Sequence, residues 1–288
     1  MNCRKLSRYT PPRSQLLKWV GNKQKFACEI TNLFPKYFNT FYEPFLGSGA
    51  ILATVSPTKG VGSDVFTPLM EIWQTLKDNP NELIEWYAER RSRLDEEDRV
   101  EVYNDIRTQF NTNHNGADFL YLTRACYGGI IRFRKSDGFM STPCGAHTPI
   151  PVNTFKIRVQ EWEERLKNVD FLNADYKNIF EMARPGDLIY CDPPYSHSQN
   201  ILYGAQSFKL EELLQCIENA KRRGIYTALS IDGNKKSGDY ICDLPIPDGL
   251  FEQEHFISIG QSMLKRFQME GQSLESEKVS DRLLLTYI

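Results

Sequence analysis

Leu188-Ile189-Tyr190-Cys191-Asp192-Pro193-Pro194-Tyr195 is the stretch on which the reading of this chain turns. Its first half is a short apolar run bounded by turn residues, the pattern of a strand buried on both faces. Two consecutive prolines cannot continue a sheet, and they hold the backbone extended. Asp192 and Tyr195 therefore stand on either side of a stiff elbow at the sheet's C-terminal edge, where open α/β sheets place their ligands. Such an elbow suits a flat ring that bears an amine: the aromatic stacks on it while the carboxylate accepts one of its N–H groups. The same residues also fit an ordinary strand-to-loop turn punctuated by proline. Cys191, at the strand's end, reads as a buried packing thiol rather than a nucleophile.

Outward from that strand, sheet and helix signals alternate. Residues 23–34 carry Phe26, Ile30 and Leu33 at helical spacing. Residues 40–42 read as a strand, a helix begins near Gly49, residues 60–63 form a strand ending at Asp64, and Pro68 suits the first turn of the next helix. Strands at 169–172, 187–190 and 226–231 are separated by a helix over 210–221. Residues 254–259 and 282–287 read as an antiparallel pair at the sheet edge. This alternation predicts an α/β protein with a mostly parallel, doubly wound sheet. Residues 80–167 interrupt it, first helical and charged, then rich in glycine, aromatics and arginine over 118–151, closing on a helix with Phe155, Val159, Trp162 and Leu166 on one face. They read as an insertion with its own recognition surface, and residues 1–14 as a loosely held arm.

Composition narrows the partners. The chain has 288 residues, with 35 Lys+Arg against 37 Asp+Glu and a formal net charge of -2. A globally basic nucleic-acid binder is not indicated, although a local basic face is compatible with this balance. No apolar run is long enough to span a bilayer, and the polar first residues lack the core of a signal peptide. Seven scattered cysteines without a Cys-x-x-Cys pair read as reduced structural thiols in a cytoplasmic protein, not as zinc ligands.

A second motif, Phe45-Leu46-Gly47-Ser48-Gly49, sits between a strand and a helix. Gly47 and Gly49 let a ligand approach the backbone closely, and the helix offers unpaired N–H groups. Leu52 stands where the dinucleotide fingerprint needs its third glycine, so a dinucleotide oxidoreductase is disfavoured. Asp64 ends the next strand about where an acid meets a ribose diol, although a solvated strand-end Asp fits the same signal.

A nucleoside pocket at the first glycine loop together with an amine-holding elbow at a later strand describes methyl transfer from S-adenosylmethionine to an exocyclic amine. At this point the chain resembles the class D12, Dam-type, α-group DNA adenine-N6 methyltransferases. Four blocks carry the resemblance in the family's order: Lys18-Trp19-Val20-Gly21-Asn22-Lys23, Glu43 to Gly49, Tyr127-Gly128-Gly129-Ile130-Ile131-Arg132-Phe133, and Asp192-Pro193-Pro194-Tyr195. It implies a Rossmann-like catalytic domain over 15–79 and 168–288 and a mainly helical target-recognition domain over 80–167. It further implies that Asp192, Pro193, Pro194 and Tyr195 act on a base flipped out of double-stranded DNA. Trp19, Lys23, Phe45, Gly47, Gly49, Asp64, Asp175 and Asp192 would line the cofactor site, with Lys23 pairing the cofactor carboxylate and Asp175 holding its adenine amine. Without the resemblance, Lys23 reads as an exposed first-turn lysine, Trp19 as a staple onto the core and Asp175 as a solvated turn residue. Tyr203 and Phe208 would cover the flipped base or serve as core or lid.

DNA contacts are expected from Arg124, Tyr127, Arg132, Arg134 and Lys135, with Arg132 reading a base and Phe133 and Phe139 nearby. Arg134 and Lys135 serve equally well as solvation of a β-hairpin tip before Asp137-Gly138. Members that read GATC have Asn-Gly where this chain has Gly128-Gly129, and a segment ending in an Arg-Tyr pair where this chain reads Ser141-Thr142-Pro143-Cys144-Gly145-Ala146-His147. Another short adenine-containing site is thus at least as good a reading. The expected partners are DNA, a cognate restriction endonuclease, and no membrane or metal, with the chain a monomer or weak dimer. Cytosine N4, RNA adenine, a protein glutamine amide and a non-catalytic DNA-binding role are the alternatives; Ser and Asn more often stand in place of Asp192 in the first and third.

Overall fold

A computed structural model describes residues 7–19, 21–134, 136–194, 208–232, 234–235, 240–241, 246–261 and 278–288. Tyr195, Tyr203 and Lys135 lie outside the described residues. The strands are β1 Phe41–Glu43, β2 Gly60–Asp64, β3 Val169–Asn173, β4 Leu188–Cys191, β5 Tyr226–Asp232, β6 Asn234–Lys235, β7 Tyr240–Ile241, β8 Gln253–Gln261 and β9 Lys278–Leu285. The helices are α1 Ala27–Asn32, α2 Ala50–Val55, α3 Thr67–Asp78, α4 Pro80–Ser92, α5 Arg99–Thr112, α6 Gly116–Ala125, α7 Val152–Leu166, α8 Tyr176–Met182 and α9 Leu210–Arg222.

Seven strands form one sheet in the order β3-β2-β1-β4-β5-β9-β8. The first five are parallel, and β9 runs antiparallel to both neighbours. The expected α/β class and the antiparallel pair β8–β9 are both present. Strand β4 shows why its sequence is unbrokenly apolar: Leu188 and Tyr190 enter the core on one face, while Ile189 and Cys191 enter that on the other. Helices α8 and α9 cover the second face, and residues of α1 to α7 join the core on the side of the first. Cys191 is fully buried, and burial pushes its thiol well above the usual range, in keeping with a packing role.

The segment 80–167 shares its apolar core with the sheet layer. Helix α7 packs against α2 and α3, with Trp162 5.6 Å from Trp73 between ring centroids. The charged stretch is helical as expected and comprises two helices, α4 and α5, the second starting where Asp98 accepts from the Val100 and Glu101 N–H groups. Residues 7–14, expected to be loose, are tied down. Arg165 donates to the Thr10 carbonyl (2.6 Å), Trp162 Nε1 to that of Ser14 (2.9 Å) and Arg158 to that of Gln15 (2.8 Å). Helix α7 thereby straps the leading segment, and Leu16 and Leu17 behind it are fully buried.

Candidate active site

Strand order explains the site. Chain progression reverses between β1 and β4, which pair in parallel with Phe41 opposite Leu188 and Tyr42 opposite Ile189. The loops leaving the C-terminal ends of such neighbours diverge and leave a crevice between them. Here those loops are Glu43 to Gly49 and Asp192-Pro193-Pro194. One pocket is lined by both, together with Trp19, Lys23, Asp64, Val65, Asp175, Tyr176 and Phe208.

The glycine loop is built for close approach. Gly47 has φ +44°, and a Cβ there would stand 2.9 Å from Trp19 Nε1. Gly49 has φ +62°, with Trp73 3.1 Å from its would-be Cβ. Asp64 fixes the loop's shape: one carboxylate oxygen accepts from Gly47 N–H (3.3 Å) and the other from Phe66 N–H (3.1 Å). The Trp73 indole donates to the Gly47 carbonyl (3.2 Å). Trp19 meets Phe119 edge-on at 6.2 Å, so it both staples to the core and walls the pocket. Phe45 stacks on Tyr176 (5.2 Å), and Phe208 meets Phe45 edge-on (5.8 Å). Asp175 caps α8 through the Lys177 N–H (2.9 Å) at the pocket wall.

Lys23, expected to pair the cofactor carboxylate, is not an exposed helix lysine: it lines the pocket from a buried position. It is 6% exposed, and its Nζ lies 2.9 Å from Asp192 Oδ1 and 3.2 Å from Asp281 Oδ2. The expected helix over 23–34 begins instead as a 3-10 turn, Lys23–Lys25, started by Asn22 accepting from Gln24 N–H, and becomes α1 only after Phe26. That turn delivers Lys23 inward. Asp281 carries no motif and was not singled out from sequence; its signal was an acid two residues before the buried leucines of β9. Glu43 was quoted in a motif without a role. It is 3% exposed, and its Oε2 accepts from the Leu52 N–H of α2 (2.7 Å). Burial, then the nearby charge of Asp192, pushes its carboxyl well above the usual range, against the pull of the Leu52 bond.

The three arginines expected on DNA have different surroundings. Arg124 is 2% exposed and donates to the carbonyls of Leu16 (2.5 Å) and Gln15 (3.3 Å); burial and Arg158 push it down to about 10. It clamps the leading segment and is not available as a DNA contact. Arg134 forms both bonds of a fork with Asp137 (3.1 and 2.7 Å) and lies over Phe139 at the expected hairpin tip. Arg132 is half-buried, and among the described residues it has no ion pair and its Nε no hydrogen-bond partner. Its backbone N–H donates to Thr142 Oγ1 (3.0 Å). Tyr127, 43% exposed, heads the turn Tyr127–Gly129 beside it.

Known proteins resemble this chain in sequence over much of its length. Type II methyltransferase M1.LlaDCHI of Lactococcus lactis subsp. cremoris is 27% identical over 230 residues, spanning 74% of this chain and 79% of its own. The DNA adenine methylase of Vibrio cholerae serotype O1 is 29% identical over 228 residues, with the same two shares. Type II methyltransferase M.MjaIII of Methanocaldococcus jannaschii is 31% identical over 198 residues, 62% of this chain and 68% of its own. The family model for D12 class N6 adenine-specific DNA methyltransferases matches residues 19–258. With both of its motif loops on one pocket, the chain belongs to the D12 class N6 adenine-specific DNA methyltransferase family.

Proposed function

We propose that the pocket at the β1/β4 crevice holds S-adenosylmethionine beside an adenine flipped out of duplex DNA, and that Asp192 and Pro193 hold the N6 amine for transfer. The observation that carries this is the parallel pairing of β1 with β4, which puts the glycine loop and the Asp192-Pro193-Pro194 elbow on one cavity. The residues present fit the cofactor. The space a Cβ would fill at Gly47, the acid at the end of β2 and the aromatic wall of Phe45 and Tyr176 suit a nucleoside with a hydroxylated ribose. Bound there, it supplies a sulfonium methyl to an incoming nucleophile. Asp64 would take the ribose hydroxyls, and Asp175 the adenine edge.

An adenine amine is a weak nucleophile because its lone pair is delocalised into the ring. The Asp192 carboxylate and the Pro193 carbonyl can accept its two N–H groups, which concentrates the lone pair on nitrogen and aims it. Positioning and charge stabilisation suffice for in-line transfer, with no covalent intermediate on the protein. Tyr195 would stack on the ring. Arg132, with its guanidinium not committed to a carboxylate among the described residues, is assigned to base readout, and Tyr127 to the strand beside it. The altered residues around Arg132 favour a short adenine-containing site other than GATC. A cytoplasmic setting and a cognate restriction endonuclease follow from the same reading, in line with the Type II names of two relatives.

The test is transfer of radiolabelled methyl from S-adenosylmethionine to genomic DNA free of N6-methyladenine, followed by digestion and chromatography of the nucleosides. Label in N6-methyldeoxyadenosine is expected. Label in N4-methyldeoxycytidine, or none in DNA, would reject the reading.

A further inference from the structure

Lys23 has more carboxylate around it than a single ion pair requires. Its ammonium is shared between Asp192, at the end of β4, and Asp281, in β9. The three side chains come from distant parts of the chain, and their fractional exposures are 7% for Lys23, 20% for Asp192 and 5% for Asp281. A carboxylate buried beside Leu283, Leu284 and Leu285 calls for a cationic partner, because taking a charge out of water is costly. Among the described residues, one partner of Asp281 is the lysine that also holds the proposed amine acceptor.

The second carboxylate changes what Lys23 can do to Asp192. Paired with Asp192 alone, a buried ammonium would direct all its attraction at that one carboxylate and compete with an incoming N–H group for it. Asp281 divides that attraction and anchors the ammonium from another strand. We propose that Asp281 is a positioning residue for methyl transfer, holding Lys23 so that Lys23 fixes the orientation of Asp192 without monopolising it. This rests on the reading of Asp192 as acceptor of the amine. Burial alone would lower the Lys23 ammonium; Asp192 and Asp281, with Tyr190 beside them, hold it above the ordinary lysine range. Glu43, facing Asp192, is the further titratable group of the described cluster. Without Asp281 the ammonium keeps its burial and loses one of two carboxylates, so it releases its proton at lower pH.

The test compares the full chain with Asp281→Asn, Asp281→Glu, Lys23→Met and the Lys23→Met/Asp281→Asn double variant, on genomic DNA free of N6-methyladenine. For Asp281→Asn, kcat should fall about tenfold while KM for S-adenosylmethionine stays within about threefold, the pattern of a group acting on the reacting centre. The alkaline limb of its kcat–pH profile should move to lower pH, and Asp281→Glu should restore most of the rate. Adding Asp281→Asn to Lys23→Met should cost little more than Lys23→Met alone, because both changes act through one group. A readout independent of turnover is acylation of lysines at mildly alkaline pH, read by peptide mass spectrometry. Lys23 should be protected in the parent chain and react in Asp281→Asn. A wild-type kcat and pH profile in Asp281→Asn would overturn the proposal, as would a raised cofactor KM with kcat intact, or a lowered Tm with an unmoved profile. If the parent chain methylates no DNA, the reading of the site fails, and with it this role; the acylation comparison then decides separately whether Asp281 holds Lys23.

Discussion

Glu43 is a carboxyl group held toward its neutral form. Water is excluded from it, Asp192 is near, and the single Leu52 N–H bond does not offset both. A pKa raised by folding contributes stability that is complete below the ordinary carboxylate value and is lost as pH rises through the raised one. Glu43→Gln keeps an acceptor for Leu52 and cannot ionise, so its urea midpoint should fall less than the parent's as pH is raised. Glu43→Ala should cost about 1–3 kcal/mol at every pH by stranding a buried N–H. A pH series of urea melts checks both, and a Gln variant with the parent's pH dependence would show that Glu43 is ionised throughout. Gly47 makes a different demand. Its left-handed backbone and the 2.9 Å approach of Trp19 to its would-be Cβ leave no room for a side chain. Gly47→Ala carries a backbone penalty of about 1–2 kcal/mol, and the clash with Trp19 adds to it. The dissociation constant for S-adenosylmethionine should therefore rise roughly tenfold, as measured by calorimetry.

Among the elements, α7 and the strap it holds do most to place the site. The carbonyls of Thr10, Ser14, Gln15 and Leu16 are gathered by Arg165, Trp162, Arg158 and Arg124, and the strap then runs on to Trp19 and Lys23. Charge and composition alone could not distinguish these arginines from ligands of DNA: a guanidinium that caps buried carbonyls has the same one-letter signature as one that grips a phosphate. Arg124 and Arg132 should accordingly separate in experiment. Arg124→Met should lower stability by about 1–3 kcal/mol through the stranded carbonyls, with the salt dependence of DNA binding unchanged below its Tm. Arg132→Ala should leave stability nearly unchanged and weaken binding to the target site by about 1–3 kcal/mol while relaxing base preference. Fluorescence anisotropy across a salt series reads both. A shallower salt slope in Arg124→Met would return that residue to the DNA interface.

Over the whole molecule, the sheet was legible because its signals are local: apolar strands, a glycine turn and an elbow of two prolines each declare themselves within a few residues. The pocket was legible for the same reason, since parallel neighbours with opposite chain progression bring those turns together. What stayed hidden depends on long-range pairing. Asp281 became meaningful only when β9 was inserted beside β5, and the pairing of Lys23 with Asp192 and Asp281 only when the first turn before α1 faced inward. The helix α7 reads in sequence as the close of an insertion, yet its tryptophan packs on α3 and joins the core of the sheet layer. All of this converges on Asp192. Losing one preorganised hydrogen-bonding group at a reacting centre typically costs about 10²–10³-fold in rate. The most direct test is sequencing of methylated bases in genomic DNA from a host that lacks N6-methyladenine and expresses either this chain or Asp192→Ala at equal soluble levels. N6-methyladenine at one short motif with the parent chain, and its loss with Asp192→Ala, is the predicted result. An absence of N6-methyladenine, or equal methylation with Asp192→Ala, would contradict the account.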